Sequence, residues 1–348
     1  MASTNPRHFH KILAIESSCD ETSAAVYCAQ TKTIQQKIYS QVELHRAYGG
    51  VVPEIASRSH LEKLYGVVEQ ALSQADCTLK DIDAIAYTRG PGLVGPLLIG
   101  ACYADALAYA LQVPLVPVHH LEAHITIALH EYQALQFPFL ALLVSGGHTE
   151  LILAESLGHY RILGSTMDDA AGEAFDKSGK IMGLNYPAGP EIAQQATTVD
   201  PQEPVPELPE PLKGKQTLDF SFSGLKTAFA RAWQLHKNQY SPAAFAWAIE
   251  QAIVDALLKR VEQALDQHPD IPLVVAGGVA ANRCLREKIK TCMTNRKQSA
   301  YFPSMQYCTD NAGMIVHNAY LRLTKLSKPE VLKQKVQPRW PIDSLNPW

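Results

Sequence analysis

The chain has 348 residues, 47% of them hydrophobic and 19% charged, with a formal net charge of −3. That balance excludes a disordered chain, and the length points to two packed lobes rather than one domain. Overall charge also excludes simple attraction of a polyanion, so contact with nucleic acid requires a local basic patch.

Seven scattered cysteines (Cys19, Cys28, Cys77, Cys102, Cys284, Cys292, Cys308) include no C-x-x-C, which argues against a disulfide framework or a zinc–cysteine site. Residues 1–10 read as a polar leader without the apolar run of a secretory signal, and no stretch of about 18 apolar residues stands out. The expectation is a cytoplasmic protein that makes no membrane contact.

From residue 11, KILAIESSCDETSAAVYC reads as strand 12–15, polar turn 16–23 and strand 24–28. Residues 61–74 follow as an amphipathic helix and 82–87 as a buried strand, and GPGLVGPLLIGACYADALAYAL opens a helix after a glycine-rich turn. These amphipathic helices of the first half are candidate partner surfaces.

In VHHLEAHITIALH, His120 and His124 are spaced i, i+4, which puts both imidazoles on one helix face within reach of one cation. The pattern is not H-E-x-x-H, because Glu122 sits in the middle of the spacing, so a zinc-protease reading lacks its general base.

The first hairpin design recurs at FPFLALLVSGGHTELILAES, where strand 140–144 meets Ser145-Gly146-Gly147-His148-Thr149 and leaves through 151–153. Such small, hydroxyl-rich turns expose backbone N–H groups to a phosphate or carboxylate at little steric cost. GEAFDKSGKIMGLNYPAGPE and LDFSFSGLKTAF combine glycines, an acid and aromatics. Within the first of them, Asp176 could bind ribose hydroxyls or simply be exposed. Residues 196–215, with five prolines among acids, read as an extended surface excursion.

Residues 242–265 carry a long helical pattern, and IPLVVAGGVAANRCLREKI then reads as strand, glycine turn and helix. The glycine pair could seat a flat base against backbone with Asn282 free to bond it, or could be only a tight connection. Arg283, Arg286, Lys288, Lys290, Arg296 and Lys297 form one basic cluster; Lys325, Lys328, Lys333, Lys335 and Arg339 form another. Each is either a nucleic-acid patch or a solvated helix face. In YCTDNAGMI, Asp310 is equally a third metal ligand or the N-cap of the apolar helix that follows. The proline-punctuated tail is expected to wrap back onto the body.

Ten segments then stand in one order: IESSCDETSAAV, GGVVPEIASRSHLEKL, RGPGLVGPLLIG, HHLEAHI, LLVSGGHTEL, GEAFDKSGKIMGLNYPAGPEI, DFSFSGLKTA, VVAGGVAANRCLR, TDNAGMI and PRW. Over residues 11–340 the series resembles the bacterial tRNA threonylcarbamoyladenosine transferases, the TsaD/Gcp family. The resemblance implies a duplicated α/β fold of the actin and sugar-kinase type with a central cleft, its lobes at 11–135 and 136–326 and a tail at 327–348. It also implies an acyltransferase that moves threonylcarbamoyl from threonylcarbamoyl-AMP to N6 of the adenosine 3′ of the anticodon, in tRNAs reading codons that begin with A.

By matching motif positions, the resemblance makes His120, His124 and Asp310 the ligands of one metal ion, iron(II) first and zinc second. Leu143, Val144, Ser145, Gly146, Gly147, Asp176, Gly189 and Asn282 would bind the adenylate. Asp20 and Glu21 are candidates for ordering water at the cation or accepting the amine proton. The implied partners are tRNA, a TsaB-like protein of the same fold, a TsaE-like ATPase and a separate synthase that makes the adenylate. Two departures stand out: Ala193 occupies a place where the family often has Asp, and YPAGP puts Ala188 where a glycine is usual. A metal-dependent small-molecule kinase of the same fold is the competing enzyme reading, though such kinases hold magnesium through carboxylates and water rather than a histidine pair.

Overall fold

A computed structural model describes residues 9–325 and 336–345. The chain divides into two compact units: the described residues of Met1–Gln41, Val51–His130 and Asp310–Trp348 form one, and Val42–Gly50 with Glu131–Thr309 the other.

The first unit holds a five-stranded sheet of order β3-β2-β1-β4-β5, built from β1 (Lys11–Glu16), β2 (Glu21–Cys28), β3 (Thr33–Ser40), β4 (Ala84–Gly90) and β5 (Leu115–His119). β1, β2 and β3 run antiparallel in sequence, whereas β4 and β5 are parallel to β1. The second unit repeats the plan as β10-β9-β6-β7-β8, with β6 (Phe139–Val144), β7 (Thr149–Ser156), β8 (His159–Ser165), β9 (Leu273–Ala276) and β10 (Ala300–Tyr301). β6, β7 and β8 are antiparallel neighbours in turn, while β9 is parallel to β6 and β10 to β9. One topology used twice is the physical form of the repeated hairpin.

β1 is buried on both faces, which is why it reads as an unbroken apolar run rather than an alternation. Leu13, Ile15, Ala24 and Val26 pack with Leu64, Val67 and Val68 of helix Pro53–Gln74 and with Ala101 and Ala104 of helix Val94–Leu111. Helix Ala312–Lys325 also packs on β1 and β2. The expected second lobe at 136–326 therefore loses its last helix, because the chain returns at Asp310 to complete the first unit. Contiguous reading of a sequence cannot see such a return.

Helix Pro53–Gln74 starts two turns earlier than the expected 61–74. Its first turns bury Ala56, Ser59 and His60 instead of large apolar side chains, so hydrophobic periodicity misses them. His60 accepts from the Thr22 hydroxyl at Nδ1 (2.8 Å) and donates from Nε2 to the Cys19 carbonyl (3.0 Å).

Helix Val94–Leu111, with a mean hydropathy of 1.5, is long and apolar enough to cross a membrane, which corrects the expectation that no such stretch exists. In this fold it covers the sheet with Leu97, Gly100, Ala101, Ala104 and Ala108. Its proportion of small residues follows from close packing: a Cβ at Gly100 would come within 2.2 Å of the Ser17 hydroxyl oxygen.

The proline-rich excursion is tied to helix Pro242–Gln267, Glu203 accepting from Ser241 Oγ and Glu210 pairing with Lys259. Of the tail, residues 336–345 run along the ends of β4 and β5: Gln337 N–H donates to the Arg89 carbonyl (2.7 Å) and His119 Nε2 to the Trp340 carbonyl (2.9 Å). The basic residues Lys328, Lys333 and Lys335 lie outside the described residues, as do 1–8 of the leader.

Candidate metal centre and glycine turns

In the first unit, β5 runs directly into helix His120–Thr126, whose N-cap is His119, its Nδ1 accepting from the Glu122 N–H (3.3 Å). The one-turn spacing brings the His120 and His124 rings to 4.7 Å between centroids with their planes at 90°. Both Nε2 atoms face one oxygen: Asp310 Oδ1 lies 3.1 Å from His124 Nε2 and 3.4 Å from His120 Nε2.

Of the two readings of Asp310, the cap is taken by its neighbour. Asn311 caps helix Ala312–Lys325, its Oδ1 accepting from the Met314 N–H at 2.9 Å. Asp310 is thereby released from capping and turned to the histidines.

Electrostatics follow from burial and proximity. His120 is pulled down by burial, yet Asp310 and Glu16 beside it raise it to about 10. His124 is held below the ordinary histidine range by burial and by the neighbouring His120 charge. Burial pushes Asp310 upward, but the two histidines outweigh it and hold the carboxylate well below its usual range. Two imidazole nitrogens and a carboxylate oxygen within 4.8 Å of one another can hold a metal ion. Bonds of about 2.1 Å to a tetrahedral cation require ligand separations of roughly 3.4 Å, so the observed 3.1 and 3.4 Å spacings fit.

Asp20 and Glu21 flank this cluster at the β1–β2 turn. Asp20 is buried and its carbonyl accepts from the Gln41 N–H. Glu21 is raised well above the usual carboxylate range, first by burial and then by the charges of Asp20 and Asp310. The residue that sequence reading missed is Glu16. It is fully buried at the end of β1, with Oε2 3.1 Å from His120 Nδ1. A glutamate closing the apolar run KILAI was the available signal, since a buried carboxylate requires partners.

In the second unit, the β6–β7 turn carries Ser145, whose Oγ accepts from the Gly147 and His148 N–H groups (3.3 and 3.1 Å). The Gly172 N–H, in the first turn of helix Ala171–Met182, donates to the Ser145 carbonyl (3.2 Å). Leu143 and Val144 are wholly buried in β6, so neither presents surface to a ligand. Among the described residues, no neighbouring atom lies within 4 Å of a Cβ built at Gly146, Gly147 or Gly278. Neither packing nor a positive φ demands glycine there. Gly277 is different, with φ +92° and a Cβ that would lie 2.3 Å from the Val144 carbonyl oxygen.

Asp176 Oδ1 accepts from the Ala188 N–H (2.8 Å), which ties the YPAGP segment and Gly189 to helix Ala171–Met182. Ala193 lies one turn on, in helix Gly189–Ala196. Asn282 is not the free side chain expected: Oδ1 caps helix Arg283–Asn295 by accepting from Leu285 N–H, and Nδ2 donates to Glu250 at 2.7 Å. DFSFSG is organised by Asp168, which accepts from both serine hydroxyls, Ser221 and Ser223, and from two backbone N–H groups.

The Arg283–Lys297 cluster resolves into local pairing. Arg283 meets Glu287, Lys288 meets Asp255 and Arg296 meets Asp266, while Arg286 bonds the carbonyls of Ala280 and Pro303. Three of its six charges thus meet a carboxylate within the unit.

Comparison with known structures places this doubled α/β plan. HypF from T. kodakarensis superposes with a TM-score of 0.59 at 15% identity, over 90% of this chain and 48% of that one. Component A of (R)-2-hydroxyglutaryl-CoA dehydratase from Acidaminococcus fermentans gives 0.55 at 12% identity, over 90% and 99%. The fold is that of the actin and sugar-kinase class, here carrying a two-histidine, one-carboxylate cluster. The model of the TsaD family, tRNA N6-adenosine threonylcarbamoyltransferase, matches residues 32–317. Enzymes of that name from Legionella pneumophila strains Corby and Lens are 45% identical over 333 residues, spanning 95% of this chain and 99% of theirs. The chain belongs to the TsaD family and is an acyltransferase that forms threonylcarbamoyladenosine in tRNA.

Proposed function

We propose that the donor is threonylcarbamoyl-AMP and the acceptor N6 of the adenosine 3′ of the anticodon, in tRNAs reading codons that begin with A. The observation that carries the reading is the convergence of His120 Nε2 and His124 Nε2 on Asp310 Oδ1, in a chain of this family. A kinase would hold magnesium through carboxylates and water, and this histidine pair disfavours it.

An exocyclic adenine amine is a weak nucleophile, so the donor must be an activated mixed anhydride with AMP as leaving group, and the enzyme's work is positioning and charge stabilisation. His120, His124 and Asp310 would hold one iron(II) or zinc ion, which supplies a Lewis acid for the threonylcarbamoyl oxygens. Glu21, raised well above the usual carboxylate range by burial and then by the charges of Asp20 and Asp310, is the group we assign to accept the amine proton. Asp20 orients it.

The turn Ser145-Gly146-Gly147 would cradle the leaving phosphate with backbone N–H groups. Glycines that neither packing nor φ requires support this. Leu143 and Val144, buried at the end of β6, lead into this turn, and Asp176, Gly189 and Asn282 complete the adenylate set. Asn282 retains one N–H and one lone pair beyond its two bonds to Glu250 and Leu285. Ala193 offers no polar side-chain contact at the place where the family resemblance implies an Asp.

Helices Pro53–Gln74 and Val94–Leu111 leave Leu61, Tyr65, Leu98 and Tyr109 between 44% and 79% exposed. That apolar face suits a TsaB-like partner, with a TsaE-like ATPase and a separate cytoplasmic synthase completing the system.

The test combines the purified chain, iron(II) or zinc, synthetic threonylcarbamoyl-AMP and unmodified tRNA, with and without the partners. Modified nucleoside is expected after digestion. Its absence under every condition overturns the reading.

A further inference from the structure

We infer that Glu16 is the positioning residue that fixes His120 for metal binding, so that the two histidines are unequal ligands. The inference rests on the metal reading above.

Glu16 ends β1 with no exposed surface, and its carboxylate is held from several sides. Oε1 accepts from the Ser18 N–H, and Oε2 accepts from the Thr88 hydroxyl and faces His120 Nδ1 at 3.1 Å. The Ser18 hydroxyl also lies 3.3 Å from that nitrogen. A carboxylate opposite Nδ1 keeps a proton there and leaves the Nε2 lone pair for the cation, while making the imidazole a stronger donor. His124 has no such support: its buried Nδ1 has no hydrogen-bond partner among the described residues. Glu16 therefore acts on one ligand of the pair only.

The surroundings of Glu16 explain why glutamine cannot replace it. The Ser18 N–H is a fixed backbone donor, so a glutamine must turn its carbonyl oxygen that way. Its NH2 group then faces Thr88 Oγ1, which can rotate to accept, and His120 Nδ1, which must accept. That places the remaining imidazole proton on Nε2, the atom needed for the metal. A carboxylate accepts on both sides and meets no such conflict.

The experiment is a cobalt(II) titration against a competing chelator, read by visible absorption, on the wild type and Glu16→Gln. One cobalt per wild-type chain is expected, with affinity ten- to a hundredfold weaker in the variant and an altered ligand-field spectrum. Circular dichroism and melting of both proteins show whether the variant folds. Equal affinity and an unchanged spectrum in folded Glu16→Gln overturn the inference. Where the variant does not fold, the zinc-loaded wild type labelled with 15N-histidine decides. His120, assigned by loss of its signal in His120→Ala, should show a protected Nδ1 proton and a metal-shifted Nε2. The reverse pattern overturns the inference. Failure of the wild type to bind cobalt or zinc overturns the metal reading itself, which is a distinguishable result.

Discussion

Arg322 and Glu122 form a buried ion pair, with Arg322 Nε 3.0 Å from Glu122 Oε2 and Nη2 on the same oxygen. Their side chains are 3% and 0% exposed. Arg322 Nε also lies 3.0 Å from Asn318 Oδ1, and Asn318 Nδ2 donates to Thr126 Oγ1 at 3.0 Å. The network joins the helix that carries both histidines to the helix that follows Asp310. Glu122, which spoils an H-E-x-x-H motif, serves here to hold these two helices together. Removing one partner leaves the other buried charge without this counter-charge, so Arg322→Met or Glu122→Gln should each destabilise, by up to about 3–5 kcal/mol. The double variant should cost less than the sum of the singles. Urea unfolding of the four proteins gives the cycle, and strict additivity would sink the claim that the pair acts as a unit.

Metal binding should stabilise this unit by mass action, since a ligand at a hundred times its Kd adds about 2.7 kcal/mol to the native state. Zinc or iron(II) is expected to raise the melting temperature of the wild type, and a chelator to reverse it. His124→Ala, His120→Ala and Asp310→Ala should each lose that shift while still folding without metal. An equal shift in Asp310→Ala would remove the aspartate from the ligand set.

Metal uptake should also release a proton. His120, raised to about 10 by Asp310 and Glu16 against its burial, carries a proton at pH 7 that the metal must displace. His124 is lowered and already neutral, and Asp310 is lowered and already ionised, so neither adds a proton. The sign follows: affinity climbs by about tenfold per pH unit through neutrality and levels off above about pH 10. The same raised value means that the His120 contribution to metal-free stability is full below about 6.5 and lost as pH rises through 10. Calorimetry in buffers of different ionisation enthalpy reads the proton number, and zero protons at pH 7 would contradict the assignment.

The two hairpins and the His120–His124 spacing were legible in the sequence because each is a local pattern, an alternation of strand and turn or one helical turn. The part of Asp310 was not, because cap and ligand look alike until Asn311 is seen to take the cap. The basic cluster left two readings open for the opposite reason: Asp255 and Asp266, which pair with Lys288 and Arg296, lie on a different helix. Glu16 lay inside a segment read as a polar turn, and only the fold brings it to His120, 104 residues away.

The glycine turns allow packing and ligand contact to be tested separately. Gly277 has φ +92° and ψ 168°, a region closed to side chains, and its Cβ would strike the Val144 carbonyl. Gly277→Ala should therefore destabilise by at least about 1–3 kcal/mol. Gly147 has open space and no positive φ, so Gly147→Ala should melt with the wild type. If the turn cradles the adenylate phosphate, the added methyl crowds the ligand instead. Affinity for a non-hydrolysable threonylcarbamoyl-AMP analogue should then drop at least tenfold in Gly147→Ala at unchanged stability. Unchanged affinity with unchanged melting would mean that the phosphate lies elsewhere than on this turn.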